Sequence, residues 1–209
     1  PVFAEMGSIN PVVLLPEALK EKAVTIAEGF VGSLTLGTGQ FCVNPGLVLA
    51  VEGEGLDRFI SATCEGLSKV GAGVMLNENT LAGYQSGVAR LRDQQGVEQV
   101  GCGEPAGDDN GFTCQAGLLT VDGKSFLANK ELQEEVFGPM SLVVKCRDHA
   151  ELLQAVSALQ GQLTGTLQCT ETELAEYGDL VEVLRQKVGR VVCNNFPTGV
   201  EVCHSMMHG

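Results

Sequence analysis

The hydrophobic positions of this chain change period as it is read from one end to the other. Behind Pro16, the residues Leu19, Ala23, Ile26, Ala27, Phe30 and Leu34 recur at helical spacing, and a proline suits the first turn of such a helix. The pattern fades before Gly37-Thr38-Gly39, which predicts a loop there. Leu47 to Val51 is an unbroken apolar run between Pro45-Gly46 and Gly53, as expected of a strand covered on both faces. Leu56, Phe59, Ile60, Thr63 and Leu67 mark a second amphipathic helix, and a third is predicted from Asn79 to Asp93, weakened by Gly83 and Gly87. Between Val97 and Val121, glycines and the Asp108-Asp109-Asn110-Gly111 cluster break the apolar residues into short strands and turns.

The second half repeats one rhythm. Leu142 to Cys146 reads as a buried strand, and Asp148 with Glu151 forms a capping-box pattern opening a helix that runs to Gly161. Leu163 to Cys169 alternates as a strand should. Thr170 with Glu173 repeats the capping signal before Leu174, Tyr177, Leu180, Leu184 and Val188, and Val191 to Cys193 closes with another apolar run. Alternating strands and helices, with no internal repeat or Gly/Ser linker, predict one α/β domain: a mostly parallel sheet sandwiched by helices in three αβα layers.

Composition narrows the function. A net charge of −13 without a basic cluster opposes nucleic acid and anionic membrane surfaces as partners. No apolar stretch approaches the roughly 20 residues of a membrane span, and residues 1–8 lack the basic and apolar regions of a signal peptide, so a cytoplasmic location is expected. The eight cysteines include no CxxC pair and are expected to be reduced thiols, mostly core residues. Cys203, His204 and His208 are chemically suited to zinc, but three donors without a fourth read as loop residues, and no metal is expected. The start at Pro1 and the end after Met206-Met207-His208 suggest a piece of a longer protein.

Three segments carry candidate chemistry. Gly39-Gln40-Phe41-Cys42-Val43-Asn44-Pro45 sets a cysteine in a glycine-bearing loop between a helix and a buried strand, where backbone N–H groups can support a thiolate. Glu5-Met6-Gly7 puts a carboxylate upstream, and Glu134-Glu135-Val136-Phe137-Gly138-Pro139 joins adjacent acids to an aromatic before a Gly-Pro turn. Taken singly, each has a plain alternative: a structural thiol, a solvated terminal charge, and an acidic turn with a core phenylalanine.

Taken together, in this order, they resemble the aldehyde dehydrogenase superfamily, whose catalytic half has a Glu-Leu-Gly-Gly-Lys-Ser-Pro motif, a Gly-Gln-x-Cys loop and a Glu-x-Phe-Gly-Pro motif. Phe41 to Gly46 and Asn195-Phe196-Pro197-Thr198-Gly199-Val200 look most similar to the branch that oxidises α-ketoglutarate semialdehyde and related aldehydes, fatty ones included, usually with NADP. The resemblance implies the fold of that catalytic domain over residues 1–209, with most of the dinucleotide-binding domain and the oligomerisation arm outside the chain, and a homo-oligomeric parent. It implies Cys42 as the nucleophile, Glu5 as the general base, Glu135 as the acid that holds the nicotinamide ribose and Phe137 as the aromatic beside the nicotinamide. NADP or NAD would be the cofactor, NADP favoured, and a small aldehyde the substrate. Asn194 or Asn195 falls where the family has an asparagine after its last core strand, and Phe196 is a candidate for the substrate tunnel.

One departure is visible: Ser8-Ile9-Asn10-Pro11 stands where the broad family has Gly-Lys-Ser-Pro, so that lysine is absent. The family's asparagine donor to the oxyanion lies outside the chain, so residues 1–209 alone are expected to turn over little or no aldehyde. Two rivals stand beside this reading: a scaffold that keeps the fold without chemistry, and an acylating enzyme in which coenzyme A takes the acyl group. A carboxylate at position 5 speaks for water as the acceptor.

Overall fold

A computed structural model describes residues 7–105 and 111–198. The elements are β1 (Pro11–Leu14), α1 (Pro16–Thr35), β2 (Leu47–Val51), α2 (Glu54–Leu67), β3 (Gly73–Val74), α3 (Glu78–Arg92), β4 (Glu98–Cys102), β5 (Thr113–Cys114), β6 (Gly117–Asp122), α4 (Gly123–Ala128), β7 (Met140–Cys146), α5 (His149–Ala158), β8 (Gln162–Gln168), α6 (Glu171–Glu176), α7 (Gly178–Lys187) and β9 (Val188–Cys193). Seven strands form one sheet in the order β4-β6-β7-β2-β1-β8-β9, while β3 and β5 make a separate antiparallel ribbon. Every neighbouring pair in the large sheet is parallel except β4 with β6. This is the three-layer α/β architecture expected from the sequence.

Strand alternation divides the core between the two faces of the sheet. Val12, Leu14, Val48, Ala50 and Val143 point to one face, where α1 and α2 bury Phe30, Leu34, Leu56 and Phe59. Val13, Leu47, Leu49, Leu142 and Val144 point to the other, covered by Tyr84 and Leu91 of α3, Phe126 of α4, Leu152 and Val156 of α5, and Leu180 and Leu184 of α7. Among the described residues, no helix is long and apolar enough to cross a membrane.

Several elements depart from the sequence expectation for physical reasons. The interior strand β1 has only four residues and enters on Pro11, a position where a strand tolerates the missing N–H, so its pattern is too short to announce itself. In β8 the Leu/Thr alternation does not separate a core face from a wet one, because Thr164 and Thr166 are buried too. α5 stops at Ala158, short of Gly161. Its cap is half a box: Asp148 accepts from the Glu151 N–H, but the Glu151 carboxylate accepts from the Arg147 N–H at 2.7 Å. The last predicted helix is two, broken at Tyr177 (φ −102°, ψ 31°). The Thr170/Glu173 box forms in full. The buried Glu173 carboxylate reaches further, accepting from the N–H groups of Glu17 and Ala18 at 2.7 and 3.1 Å, and so caps the amino end of α1 as well.

The register fixes where a site can lie. Pro11 pairs with Leu47 and Leu47 with Leu142, so the segments entering β1, β2, β7 and β8 meet along one edge of the sheet. That edge is the amino end of the parallel strands, opposite to the carboxyl edge where open α/β sheets generally bind ligands.

Candidate active site

The carboxyl end of α1 delivers Cys42 to this edge. After Thr35 the chain tightens into a 3-10 turn at Leu36–Gly39, where Gly37, Thr38 and Gly39 take φ values of 55°, 60° and 65°. Gly39 lies against residues 138 and 139: a Cβ there would stand 2.4 Å from the Gly138 carbonyl carbon and 2.5 Å from the Pro139 nitrogen. The Gln40 side chain donates to Val74 O at 3.1 Å and accepts from the Leu76 N–H at 2.8 Å, tying the loop to the β3 ribbon. The Asn44 N–H donates to Phe41 O at 3.0 Å, closing a turn around the half-buried Cys42. Asn44 Nδ2 donates to Gly138 O at 2.9 Å, and the Gly46 N–H to Ile9 O at 2.9 Å. Hydrogen bonds therefore hold the cysteine loop to all of its neighbours on this edge.

The Glu134–Pro139 segment forms the facing wall. Glu134 pairs with Arg90 of α3 at 2.6 Å, Val136 packs on Gly87, and the Tyr84 ring covers Gly138 while its hydroxyl donates to Gln115 O at 2.6 Å. Glu135 comes to Gly7, where a Cβ would sit 2.9 Å from its Oε2. Phe137 keeps 41% of its surface exposed beside this carboxylate. Gly7, Lys130, Glu135 and Gln162 line a cleft of about 560 Å³, and Glu135 and Phe137 share a smaller cavity with Gly39 and Asn44. A nicotinamide nucleotide fits the chemistry of this wall, with a carboxylate to accept ribose hydroxyls, an exposed ring for the base and a glycine backbone that permits close approach.

Of the residues expected to act, Cys42, Glu135 and Phe137 are thus gathered on one edge. Glu5 lies outside the described residues, as do Cys203, His204 and His208; among the described residues no cluster of three or more His, Cys, Asp or Glu is placed to hold a metal. The residues after β9 leave the carboxyl ends of β8 and β9 and run back along α1, so that Thr198 hydrogen-bonds Ser33 in the last turn of that helix. Asn194 accepts from the Cys169 N–H at 3.0 Å, and the Phe196 ring packs on Gly29 and, at 6.1 Å between centroids, on Phe30 of α1. Gln40, Asn44 and Asn10 hold the cysteine loop yet were not legible in the sequence, because nothing in their spacing reveals a hydrogen bond to a distant backbone.

Of the other described thiols, Cys64 is half-buried like Cys42, and burial raises it above its ordinary value. Cys102 and Cys193 are exposed. Burial pushes Cys114 up to about 11 and Cys169 up to about 11, and burial together with the nearby Glu151, Asp148 and Glu52 carboxylates pushes Cys146 up to about 12. These three are protonated and inert at neutral pH. Alkylation of the native protein should spare them until denaturant is added, and labelling at the rate of Cys102 would contradict their burial. Because their folded values lie above the ordinary value of 9.0, their contribution to stability is complete below pH 9 and is lost as the pH rises through about 11 to 12. Urea titrations should accordingly show a falling midpoint above pH 9.

The aldehyde dehydrogenase family model matches residues 1–209. The chain is 50% identical to alpha-ketoglutaric semialdehyde dehydrogenase 2 of Azospirillum brasilense, over 100% of this chain and 39% of that protein. It is 40% identical to the alpha-ketoglutaric semialdehyde dehydrogenase of Acinetobacter baylyi, over 100% of this chain and 40% of that protein. It therefore spans about two fifths of the length of these curated relatives. In fold it is similar to the 1-pyrroline-5-carboxylate dehydrogenase from Thermus solved with bound NAD, with a TM-score of 0.74 at 20% identity, over 94% of this chain and 37% of that one.

Proposed function

The chain belongs to the aldehyde dehydrogenase family, and from that premise we propose that the whole protein oxidises an aldehyde to its carboxylic acid with NAD(P) through a cysteine-bound acyl intermediate. The observation that carries this reading is the clamp of the Cys42 loop onto the Glu135–Pro139 wall at Gly39 and Asn44. It sets a half-buried sulfur and the Glu135 carboxylate on one edge, as a thiol-based dehydrogenase requires. Identity of 50% and 40% to α-ketoglutaric semialdehyde dehydrogenases favours a semialdehyde such as α-ketoglutarate semialdehyde as substrate. The resemblance of the Phe41–Gly46 and Asn195–Val200 motifs to that branch adds NADP as the favoured coenzyme.

In this reading the Cys42 thiolate adds to the aldehyde carbon, forming a carbon–sulfur bond as the carbonyl π electrons move onto oxygen. The Cys42 N–H supplies one oxyanion donor. Its direction is set by the Phe41 carbonyl in the same peptide plane, which the Asn44 N–H holds. Glu135 would hold the ribose of a nicotinamide nucleotide and Phe137 would lie beside its ring, and the bound group would supply the acceptor for the hydride. Collapse of the oxyanion as the carbon loses its hydride leaves a thioester on Cys42. Glu5 takes a proton from water, the hydroxide oxygen bonds to the acyl carbon, and the carbon–sulfur bond breaks to release the acid and restore the thiolate.

Glu5→Gln in the full-length protein tests this sequence of events. With α-ketoglutarate semialdehyde and NADP it should give a burst of one equivalent of reduced nicotinamide per site. The Cys42 peptide should then carry the acyl group by mass spectrometry, with steady-state turnover down at least about a hundredfold. Undiminished turnover on adding coenzyme A would convert the reading to the acylating reaction. Absence of any reduced nicotinamide from the unaltered protein with either nucleotide would leave the fold as a scaffold.

A further inference from the structure

The Asn10 side chain is the hub of the hydrogen bonds beneath the cysteine loop. It is 1% exposed and adopts φ 47°, a left-handed backbone that asparagine tolerates better than most residues. Its Nδ2 donates to Cys42 O at 2.9 Å, to Asn44 O at 3.0 Å and, at a longer 3.2 Å, to Ser8 O. Its Oδ1 accepts from the Ser8 hydroxyl at 2.9 Å, the Thr164 hydroxyl at 3.0 Å and the Thr164 N–H at 3.3 Å. The amide cannot be turned over. Main-chain carbonyls only accept and a main-chain N–H only donates, so the nitrogen must face residues 42 and 44 and the oxygen must face β8.

The two peptide planes flanking Cys42 are consequently fixed from different sources. The plane before it is held inside the loop, by the Asn44 N–H on Phe41 O. The plane after it is held from outside, by Asn10 on Cys42 O. Asn10 also grips the Asn44 carbonyl, so it steadies the residue that holds the first plane. Ser8 extends the anchorage: its hydroxyl also reaches Gln162 Oε1 at 3.1 Å and accepts from the Leu163 N–H at 3.0 Å, while the Ile9 N–H donates to Gln162 Oε1 at 2.7 Å.

Resting on the reading of Cys42 as the nucleophile, we infer that Asn10 is a positioning residue that aims the Cys42 sulfur, coupling it through one buried amide to strands β1 and β8. It touches no reacting atom. It acts by fixing the backbone dihedral on the carbonyl side of Cys42, from which the direction of the side chain follows. Misplacing a reacting atom by about an ångström costs about a hundredfold in rate, which sets the scale of the effect.

The test uses the full-length protein with Asn10→Asp and Thr164→Val. Aspartate keeps the shape and the acceptor toward Ser8 and Thr164 but sets an oxygen against the carbonyls of Cys42 and Asn44. Its kcat should fall about a hundredfold with KM for the aldehyde changed less than about threefold. Alkylation of the Cys42 peptide should slow in parallel, while Cys102 and Cys193 label at the unaltered rate and Cys114, Cys146 and Cys169 stay unlabelled. Thr164→Val removes one donor to Oδ1 without touching the cysteine loop, and should lower kcat about three- to tenfold with the same labelling pattern. Should Asn10→Asp not fold, the valine variant decides alone. The inference is overturned if every variant that folds keeps kcat and Cys42 labelling within about twofold, or if Thr164→Val loses activity only together with labelling of the three buried thiols, which would mark general unfolding. Cys42→Ser in parallel separates the two ideas: if it leaves turnover unchanged, the functional reading has failed, and if it abolishes turnover while the Asn10 and Thr164 variants stay active, only the role of Asn10 has.

Discussion

Replacing Cys42 by serine in the full-length protein is expected to lower aldehyde oxidation at least about a thousandfold, with stability changed by less than about 1 kcal/mol. The substitution exchanges sulfur for oxygen at a half-buried position and leaves the main-chain bonds of the loop, Asn10 to Cys42 O and Asn44 N–H to Phe41 O, available. What it removes is the sulfur, and a thiol gives up its proton far more readily than a hydroxyl does. A hydroxyl needs a base in hydrogen-bond contact to replace that property. Steady-state turnover and a urea titration measured together check the expectation. Turnover within tenfold of the unaltered enzyme would place the chemistry on another residue.

Gly39→Ala should be the most disruptive change of a single methyl group on the active edge, costing about 3 kcal/mol of stability and most of the activity. Two effects combine. Alanine at φ 65° is strained, and its Cβ would overlap Gly138 and Pro139, with the nearest atoms at 2.4 to 2.6 Å. Those atoms are backbone, held in place by the Asn44 side chain on Gly138 O and by the Gly117 N–H on Pro139 O, so they cannot swing aside as a flexible side chain would. Relief requires separating the cysteine loop from the Glu135 wall. A denaturation midpoint and the Cys42 alkylation rate report the two halves, and a variant of unchanged stability and reactivity would show that this contact is not tight in solution.

How far the sequence discloses this molecule depends on the range of the interactions concerned. Local signals are read correctly: the apolar runs of β2 and β7, the helical stripe of α1 and the Thr170/Glu173 box all reappear in the structure. The placement of Cys42 between a helix and a buried strand also follows from local pattern. What fails is decided at long range. Thr164 and Thr166 look like the wet face of a strand, yet β8 is enclosed between neighbouring strands and two helix layers. β1 lies inside the sheet, between β2 and β8, although four residues carry almost no periodic signal. The roles of Asn10, Gln40 and Tyr84 rest on partners more than thirty residues away, and no spacing rule anticipates them. The candidate nucleophile was legible through resemblance of motifs; the bonds that hold it were not.

The orientation of the sheet has an electrostatic consequence. Since Cys42 sits where the strands begin, α1 reaches it with its last turn, and the half-positive amino end of that helix lies at the far rim, already occupied by the Glu173 carboxylate. A negative charge developing near Cys42 thus meets carbonyl-bearing helix ends instead of the free amides that welcome anions in many nucleotide-binding folds. Whatever stabilises an anion on this rim has to be assembled from individual loop amides, and so it depends on loop conformation in a way that a helix terminus would not.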